Sequence, residues 1–286
     1  MTYRDMLLEA AHSFSSSETP FLDAVLLLSW SLDLPKEKVL AMLPDRVENV
    51  PTSFHEMVER RRRGESVAHI RGFREFFGRE FLVNDNVLSP RQDTEVLVDA
   101  AFESGDALSK AFNTGEGAGH LSVLDMCTGT GAVAVSIAAE RPQWRVSASD
   151  VSPSALDVAR ENARRLLPSP SISFIESDLF FSIEGRFDLI AANPPYVSRA
   201  QAERLVGDGW KDPLLALDGG IDGMKFVRAI IMEGHKFLSQ NGVLLLEMDP
   251  FQIPEATALF EKEGFCDIRT WKDLAGRTRV AGAHHG

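Results

Sequence analysis

Leu121-Ser122-Val123-Leu124-Asp125-Met126, followed by Cys127-Thr128-Gly129-Thr130-Gly131, decides the fold. The first six residues form the short apolar run of a buried strand. The glycine turn then feeds an apolar helix predicted over residues 132–140. From there the pattern alternates. Arg145-Val146-Ser147-Ala148-Ser149 reads as the next strand, ending in Asp150. Ser152-Pro153 starts a helix with proline in its first turn, predicted to run to about residue 167. A third strand over residues 172–176 leads to Ser177-Asp178-Leu179. A fourth, Phe187-Asp188-Leu189-Ile190-Ala191-Ala192, is stopped by Asn193-Pro194-Pro195-Tyr196, because proline cannot continue a ladder. Residues 243–247, 265–269 and 278–282 supply three more. Strands joined by crossover helices predict an α/β fold with a doubly wound, mainly parallel, seven-stranded sheet.

In such a sheet ligands sit beyond the carboxyl ends of the strands, and the distinctive loops all lie on that edge. A Gly-x-Gly turn lets backbone approach a ligand where a side chain would block it. Asp150 stands where a ribose diol is held. Asp125 is placed to meet an ammonium group, and Asp178 an exocyclic amine. Gly129-Thr130-Gly131-Ala132-Val133-Ala134 also fits a dinucleotide-binding turn. Asn193-Pro194-Pro195-Tyr196 breaks the tie. The Asn193 side chain and the Pro194 carbonyl offer two oxygens to one planar NH2 group, and Tyr196 supplies a flat wall. A nicotinamide enzyme has no use for that clamp.

Residues before about 72 lack strand alternation and predict a small all-α domain. Met6, Leu7, Ala10, Ala11 and Phe14 mark one helix. Leu22, Val25, Leu26, Ser29 and Trp30 mark a central second one, and Pro35 starts a third over residues 36–42. Ser53 with Glu56 reads as a capping box for a fourth, ending before Gly64. Arg60-Arg61-Arg62-Arg63 is either a solvated helix end, where cations suit the dipole, or a contact for an acidic or RNA-bearing partner. Residues 73–88, with six large apolar side chains around Gly78 and a turn at Asn84-Asp85-Asn86, predict a hairpin. Asp93 and Thr94 read as caps of a helix over residues 95–104, with a loop from Gly105 to His120. Asp218-Gly219-Gly220 and Asp222-Gly223 read as a tight loop before a helix over residues 224–238. The seven histidines show no metal-ligand spacing, and His284-His285 reads as a disordered tail.

Thirty basic against 42 acidic residues give a net charge of −12, which disfavours a substrate rich in phosphates. The two cysteines, Cys127 and Cys266, are far apart and suit a reducing compartment. No signal-peptide apolar region opens the chain and no apolar run is long enough to span a bilayer, so a cytoplasmic protein is expected.

With these residues in view, the chain resembles the class I S-adenosylmethionine-dependent methyltransferases. More closely, it resembles the HemK-type protein-(glutamine-N5) methyltransferases that modify peptide chain release factors. The resemblance rests on Arg-Arg-Arg-Gly-Glu-Ser-Val-Ala-His-Ile ending at Ile70, Gly78-Arg79-Glu80-Phe81 and the two loops above. It continues in Leu217-Asp218-Gly219-Gly220-Ile221-Asp222-Gly223 and Asp273-Leu274-Ala275-Gly276-Arg277. It implies S-adenosylmethionine as cofactor, held by Cys127, Thr128, Gly129, Thr130, Gly131, Asp150, Asp178, Leu179 and Asn193. It implies catalysis by Asn193, Pro194 and Tyr196, with Pro195 completing the glutamine site. The partner implied is a release factor, through its Gly-Gly-Gln loop, with no nucleic acid, no membrane and a monomeric enzyme. The expected domains are a helical substrate-recognition domain over 1–72, a hairpin linker over 73–88 and a methyltransferase domain over 89–286. The chain departs from the usual pattern at Gln92, Leu179 and Met248-Asp249-Pro250. The rival reading with the same clamp is an amino-methyltransferase that flips a nucleic-acid base into it.

Overall fold

The structure is a computed structural model that describes residues 1–15, 17–112, 120–169 and 171–286. The chain divides into two compact units, Met1–Phe73 with Arg204–Lys211, and Arg74–Glu203 with Asp212–Gly286.

The first unit holds α1 (Tyr3–His12), α2 (Pro20–Leu32), α3 (Lys36–Ala41), α4 (Thr52–Arg62) and α5 (Val67–Arg71). Tyr3, Met6, Leu7, Ala10, Ala11 and Phe14 bury one face of α1 against Ala24, Val25, Leu27 and Leu28 of α2. The buried stripe of α2 is therefore shifted from the expected one, and Leu22 is 45% exposed. Helix α4 starts after Pro51, without a side-chain cap, so Ser53 is not its capping residue. The arginine run does structural work within this unit. Arg61 is buried and its Nε donates to Asp23 at 2.8 Å. Arg60 pairs with Glu65 and donates to the carbonyls of His69 and Ile70. Arg62 pairs with Glu59 on the surface.

The second unit continues with β1 (Phe73–Phe76), β2 (Arg79–Leu82), α6 (Glu95–Phe112), β3 (Ser122–Met126), α7 (Ala132–Glu140), β4 (Arg145–Asp150), α8 (Pro153–Leu166), β5 (Ile172–Glu176) and β6 (Phe187–Ala192). It is completed by α9 (Arg199–Gly207), whose residues from Arg204 on belong to the first unit, and by α10 (Leu214–Leu217), α11 (Lys225–Gly234), β7 (Leu238–Glu247), α12 (Ile253–Lys262), β8 (Phe265–Lys272) and β9 (Thr278–His285). β1 and β2 form the expected hairpin, and the other seven strands form one sheet in the order β5-β4-β3-β6-β7-β9-β8. The ladders among β5, β4, β3, β6 and β7 are parallel, and β9 runs antiparallel to both neighbours. Alternate residues of the central strands face opposite layers. Val123, Leu189, Leu245 and their helices α6 and α7 make one core, and Leu124, Ile190, Leu246 with α11 and α12 the other.

Two further expectations are overturned. The helix after Thr94 runs through Gly105 to Phe112, because a Cβ at Gly105 would lie 2.3 Å from the Trp144 ring; the glycine admits the indole and does not end the helix. The rest of that expected loop, Asn113-Thr114-Gly115 and Gly117-Ala118-Gly119, lies outside the described residues. His284 and His285 are not a tail but the end of β9, where His284 pairs with Val243 and Cys266, and His285 with Phe265.

Candidate active site

The strand order reverses between β3 and β6, where the chain has wound one way through β4 and β5 and then the other way through β7. The crevice at that switch point is the default ligand site of an open α/β sheet. Met126 pairs with Ala192, so Cys127 and Asn193 leave the sheet side by side. Above them lies a cavity of about 340 Å³ within the second unit.

Of the predicted site residues, Cys127, Thr128, Gly129, Thr130, Asp150, Asp178, Leu179, Asn193 and Pro195 line this cavity, whereas Gly131, Pro194 and Tyr196 do not. Gly129 takes φ +53 and a Cβ there would meet no protein atom within 4 Å, so its bare face is open. Gly131 serves packing: a Cβ would press on Ala159 of α8 at 3.1 Å. Asp150 accepts from the Gly129 and Ser152 amides, both at 2.9 Å, which ties the first turn to the end of β4. Burial raises its carboxyl above the ordinary range. Asp125 is buried below the turn and its Oδ2 accepts from Thr128 Oγ1 at 2.5 Å and from the Ala134 amide at 3.0 Å. Burial pushes it up to about 7. Burial, aided by Asp150, Asp125 and Asp178, pushes the Cys127 thiol well up, so it is no nucleophile. Among the described residues no group of three or more His, Cys, Asp or Glu is placed to hold a metal ion.

The clamp after β6 is held from three sides. Asn193 Nδ2 donates to Thr94 Oγ1 at 3.1 Å, and that hydroxyl donates to Glu247 Oε1 at 3.1 Å. The Tyr196 hydroxyl also donates to Glu247 Oε1, at 3.3 Å. Burial and the neighbouring Glu247 raise the Tyr196 hydroxyl far above its usual value, so it stays protonated. From below, Gln252 Nε2 donates to the Tyr196 carbonyl at 3.0 Å and its Oε1 accepts from the Asp249 amide. The Met248-Asp249-Pro250 departure is thus a capped turn that seats Gln252. From the third side, the Gly219 amide donates to the Val197 carbonyl at 2.7 Å. A Cβ at Gly219 would come within 2.7 Å of the Pro195 carbonyl oxygen, so only glycine lets this loop lie on the clamp.

Thr94 does not cap α6, as expected from the sequence; it spends its hydroxyl on the clamp. Thr94 and Glu247 were the partners not foreseen. The one available signal was an acid closing an otherwise apolar strand, Val243-Leu244-Leu245-Leu246-Glu247. Asp93 holds no cap either, and pairs with Arg277 and Arg279.

Residues 5–72 match the PrmC N-terminal domain, and residues 104–209 the methyltransferase small domain. A release factor glutamine methyltransferase of Burkholderia pseudomallei is 35% identical over 96% of this chain and 95% of its own. One from Moorella thermoacetica is 34% identical over 98% and 97%. The chain belongs to the release factor glutamine methyltransferase family. Its sheet is that of a class I methyltransferase: a methyltransferase from Pyrococcus furiosus superimposes with a TM-score of 0.51 at 17% identity, over 74% of this chain and 91% of that one, a likeness of fold alone. In this methyltransferase, then, the first-turn loop, Asp150 and the segment after β5 form the wall of one cavity, and the braced clamp stands at its edge.

Proposed function

We propose that the chain transfers a methyl group from S-adenosylmethionine to the side-chain amide nitrogen (N5) of the glutamine in the Gly-Gly-Gln motif of peptide chain release factors. The observation that carries the reading is the Asn193 clamp, braced by Thr94 and opening on the cavity. Family membership supports the substrate.

The cavity fits the cofactor. The open face of Gly129 admits a ligand against backbone, and Asp150 and Asp178 bring carboxylates suited to hydroxyl and amine donors. Leu179, held at φ +47, offers an aliphatic edge to a flat ring. Bound there, S-adenosylmethionine supplies an electrophilic methyl group on a cationic sulfonium. Asp125, already committed to Thr128 and Ala134, braces the turn.

An amide nitrogen is a poor nucleophile because its lone pair is delocalised. Asn193 Oδ1 and the Pro194 carbonyl accept hydrogen bonds from its two N–H groups, which raises electron density on nitrogen and fixes its direction; once methylated the nitrogen is acidic and gives up one of these two protons to solvent. The Tyr196 ring holds the amide plane. Alignment of this kind is worth several kcal/mol, up to about 7–11 in well-oriented intramolecular systems. The helical unit recognises the release factor away from its glutamine, since a three-residue loop alone gives little specificity. The net charge of −12 speaks against nucleic acid, and among the described residues no helix is long and apolar enough to cross a membrane. A monomer acting in the cytoplasm completes the proposal.

Labelled S-adenosylmethionine offered with release factor or with nucleic acid tests it. Label on the Gly-Gly-Gln glutamine supports the reading, and label only on nucleic acid overturns it. Asn193→Ala and Asn193→Asp are each expected to slow single-turnover transfer about 100-fold at saturating cofactor. Near-normal rates in both would remove Asn193 from the mechanism.

A further inference from the structure

Glu247 closes β7, is fully buried and does not line the cavity. It nevertheless decides which way the clamp is polarised. A carboxylate oxygen has no proton to give, so the two hydroxyls that meet Glu247 Oε1, from Thr94 and Tyr196, must both donate to it. Once the Thr94 hydroxyl has spent its proton there, its oxygen only accepts. What it accepts is the Asn193 NH2 group at 3.1 Å. An amide that turns its nitrogen one way presents its oxygen the other way.

We propose that Glu247 is a positioning residue that, through Thr94, holds Asn193 with its oxygen rather than its nitrogen toward the substrate. The inference rests on the function proposed above and adds the reason the site takes a glutamine amide and refuses a glutamate: two acceptor oxygens welcome an NH2 group and repel a carboxylate. The relay joins segments 99 and 153 residues apart, which local structure alone does not bring together.

The second oxygen, Oε2, has no hydrogen-bond partner. The other groups that face this carboxyl are Tyr196, Arg279 of β9 and Asp93 before α6. When Glu247 takes up a proton, at a value burial pushes up to about 7, Oε2 is the free place for it. Oε1 then still accepts from both hydroxyls, so the polarity of the clamp survives in either protonation state. A general base would behave differently, losing activity on protonation.

The experiment uses the full-length enzyme with a release factor carrying Gly-Gly-Gln, and the same factor carrying Gly-Gly-Glu as competitor. Glu247→Leu removes the acceptor that both hydroxyls share, which allows Thr94 to reverse and Asn193 to flip. Single-turnover transfer is expected to fall about 10- to 100-fold while cofactor affinity, read by calorimetry, stays within about twofold. The Gly-Gly-Glu factor should compete better against the variant than against wild type. Thr94→Val should reproduce the loss, Thr94→Ser should restore the rate, and the double variant should be no slower than the worse single one. If Glu247→Leu does not fold, the Thr94→Val and Thr94→Ser pair decides alone. A wild-type rate in Thr94→Val, an equal loss of cofactor affinity, unchanged competition, or a wild-type rate that falls tenfold per pH unit below about 7 overturns the relay. A wild-type enzyme that labels no Gly-Gly-Gln glutamine overturns the proposed function, and the relay with it. Wild-type transfer with an unaffected Thr94→Val overturns the relay only.

Discussion

Gly223→Ala is the substitution that the clamp should feel most sharply. Gly223 sits at φ +77, in the left-handed region, and a Cβ there would lie 2.2 Å from the Tyr196 carbonyl oxygen and 2.7 Å from Gln252 Nε2. Ordinary contact begins near 3.4 Å, so oxygen and methyl must separate by more than 1 Å. The backbone conformation itself costs an alanine about 1–2 kcal/mol. The separation has to come from the loop over residues 218–223 or from the clamp, and both are hydrogen-bonded to each other through Val197. A displacement of about 1 Å at a positioned group costs on the order of 100-fold in rate, about 2.7 kcal/mol of activation energy. A domain with about 5–15 kcal/mol of stability survives the combined strain. Gly223 is not in the cavity wall, so cofactor affinity should hold. Single-turnover transfer to a Gly-Gly-Gln factor, with calorimetric cofactor binding and a urea melt alongside, gives the three numbers needed. A folded variant with a rate within about threefold of wild type would refute the bracing argument.

Gly129→Ala should show the opposite signature. Its Cβ would enter the cavity without meeting protein, so S-adenosylmethionine affinity falls about 10- to 100-fold while the fold loses only about 1 kcal/mol of backbone strain; isothermal titration of the variant reads it, and unchanged affinity would place the cofactor elsewhere. Asp125 and Glu247 are both pushed up to about 7 by burial, so folded protein holds these protons more tightly than unfolded chain. Their contribution to stability is full below about pH 4 and is lost as pH rises through about 7, giving roughly 1 kcal/mol per group between about pH 8 and pH 6. Urea melts should show higher stability at the lower pH, with Asp125→Asn or Glu247→Gln each removing its share; a flat profile in the wild type would contradict the burial of these acids.

Much of this was legible in the chain because the central strands are buried on both faces. β3, β6 and α7 end where their apolar runs end, and Ser152 caps α8 as its position before Pro153 implies. Local signals failed where a distant partner claimed the residue. Gly105 looks like a helix stop until Trp144 fills the space above it. Arg61 looks like part of a solvated charge run, yet it pairs with Asp23, 38 residues earlier. His284 and His285 look like a tail because β9 finds its partners only after β7 and β8 are laid down on either side. The Asn-Pro-Pro-Tyr loop was visible as a motif, but its supports were not: Thr94, Glu247, Gln252 and Gly223 converge on it from four places in the chain.

The helical unit has a consequence for how the chain is made and cut. It includes Arg204–Lys211, and Gly64 and Gly209 meet there so closely that a Cβ on Gly209 would lie 2.5 Å from the Arg63 carbonyl oxygen. A ribosome that has released only the first 73 residues has therefore made the helices but not the segment that closes on the end of α4. That segment emerges only after β3, β4, β5 and β6, so the first-made part of the protein is finished late. By the same connectivity, a protease that nicks the chain near residue 73 splits the helical unit itself, because its segment Arg204–Lys211 stays with the other fragment.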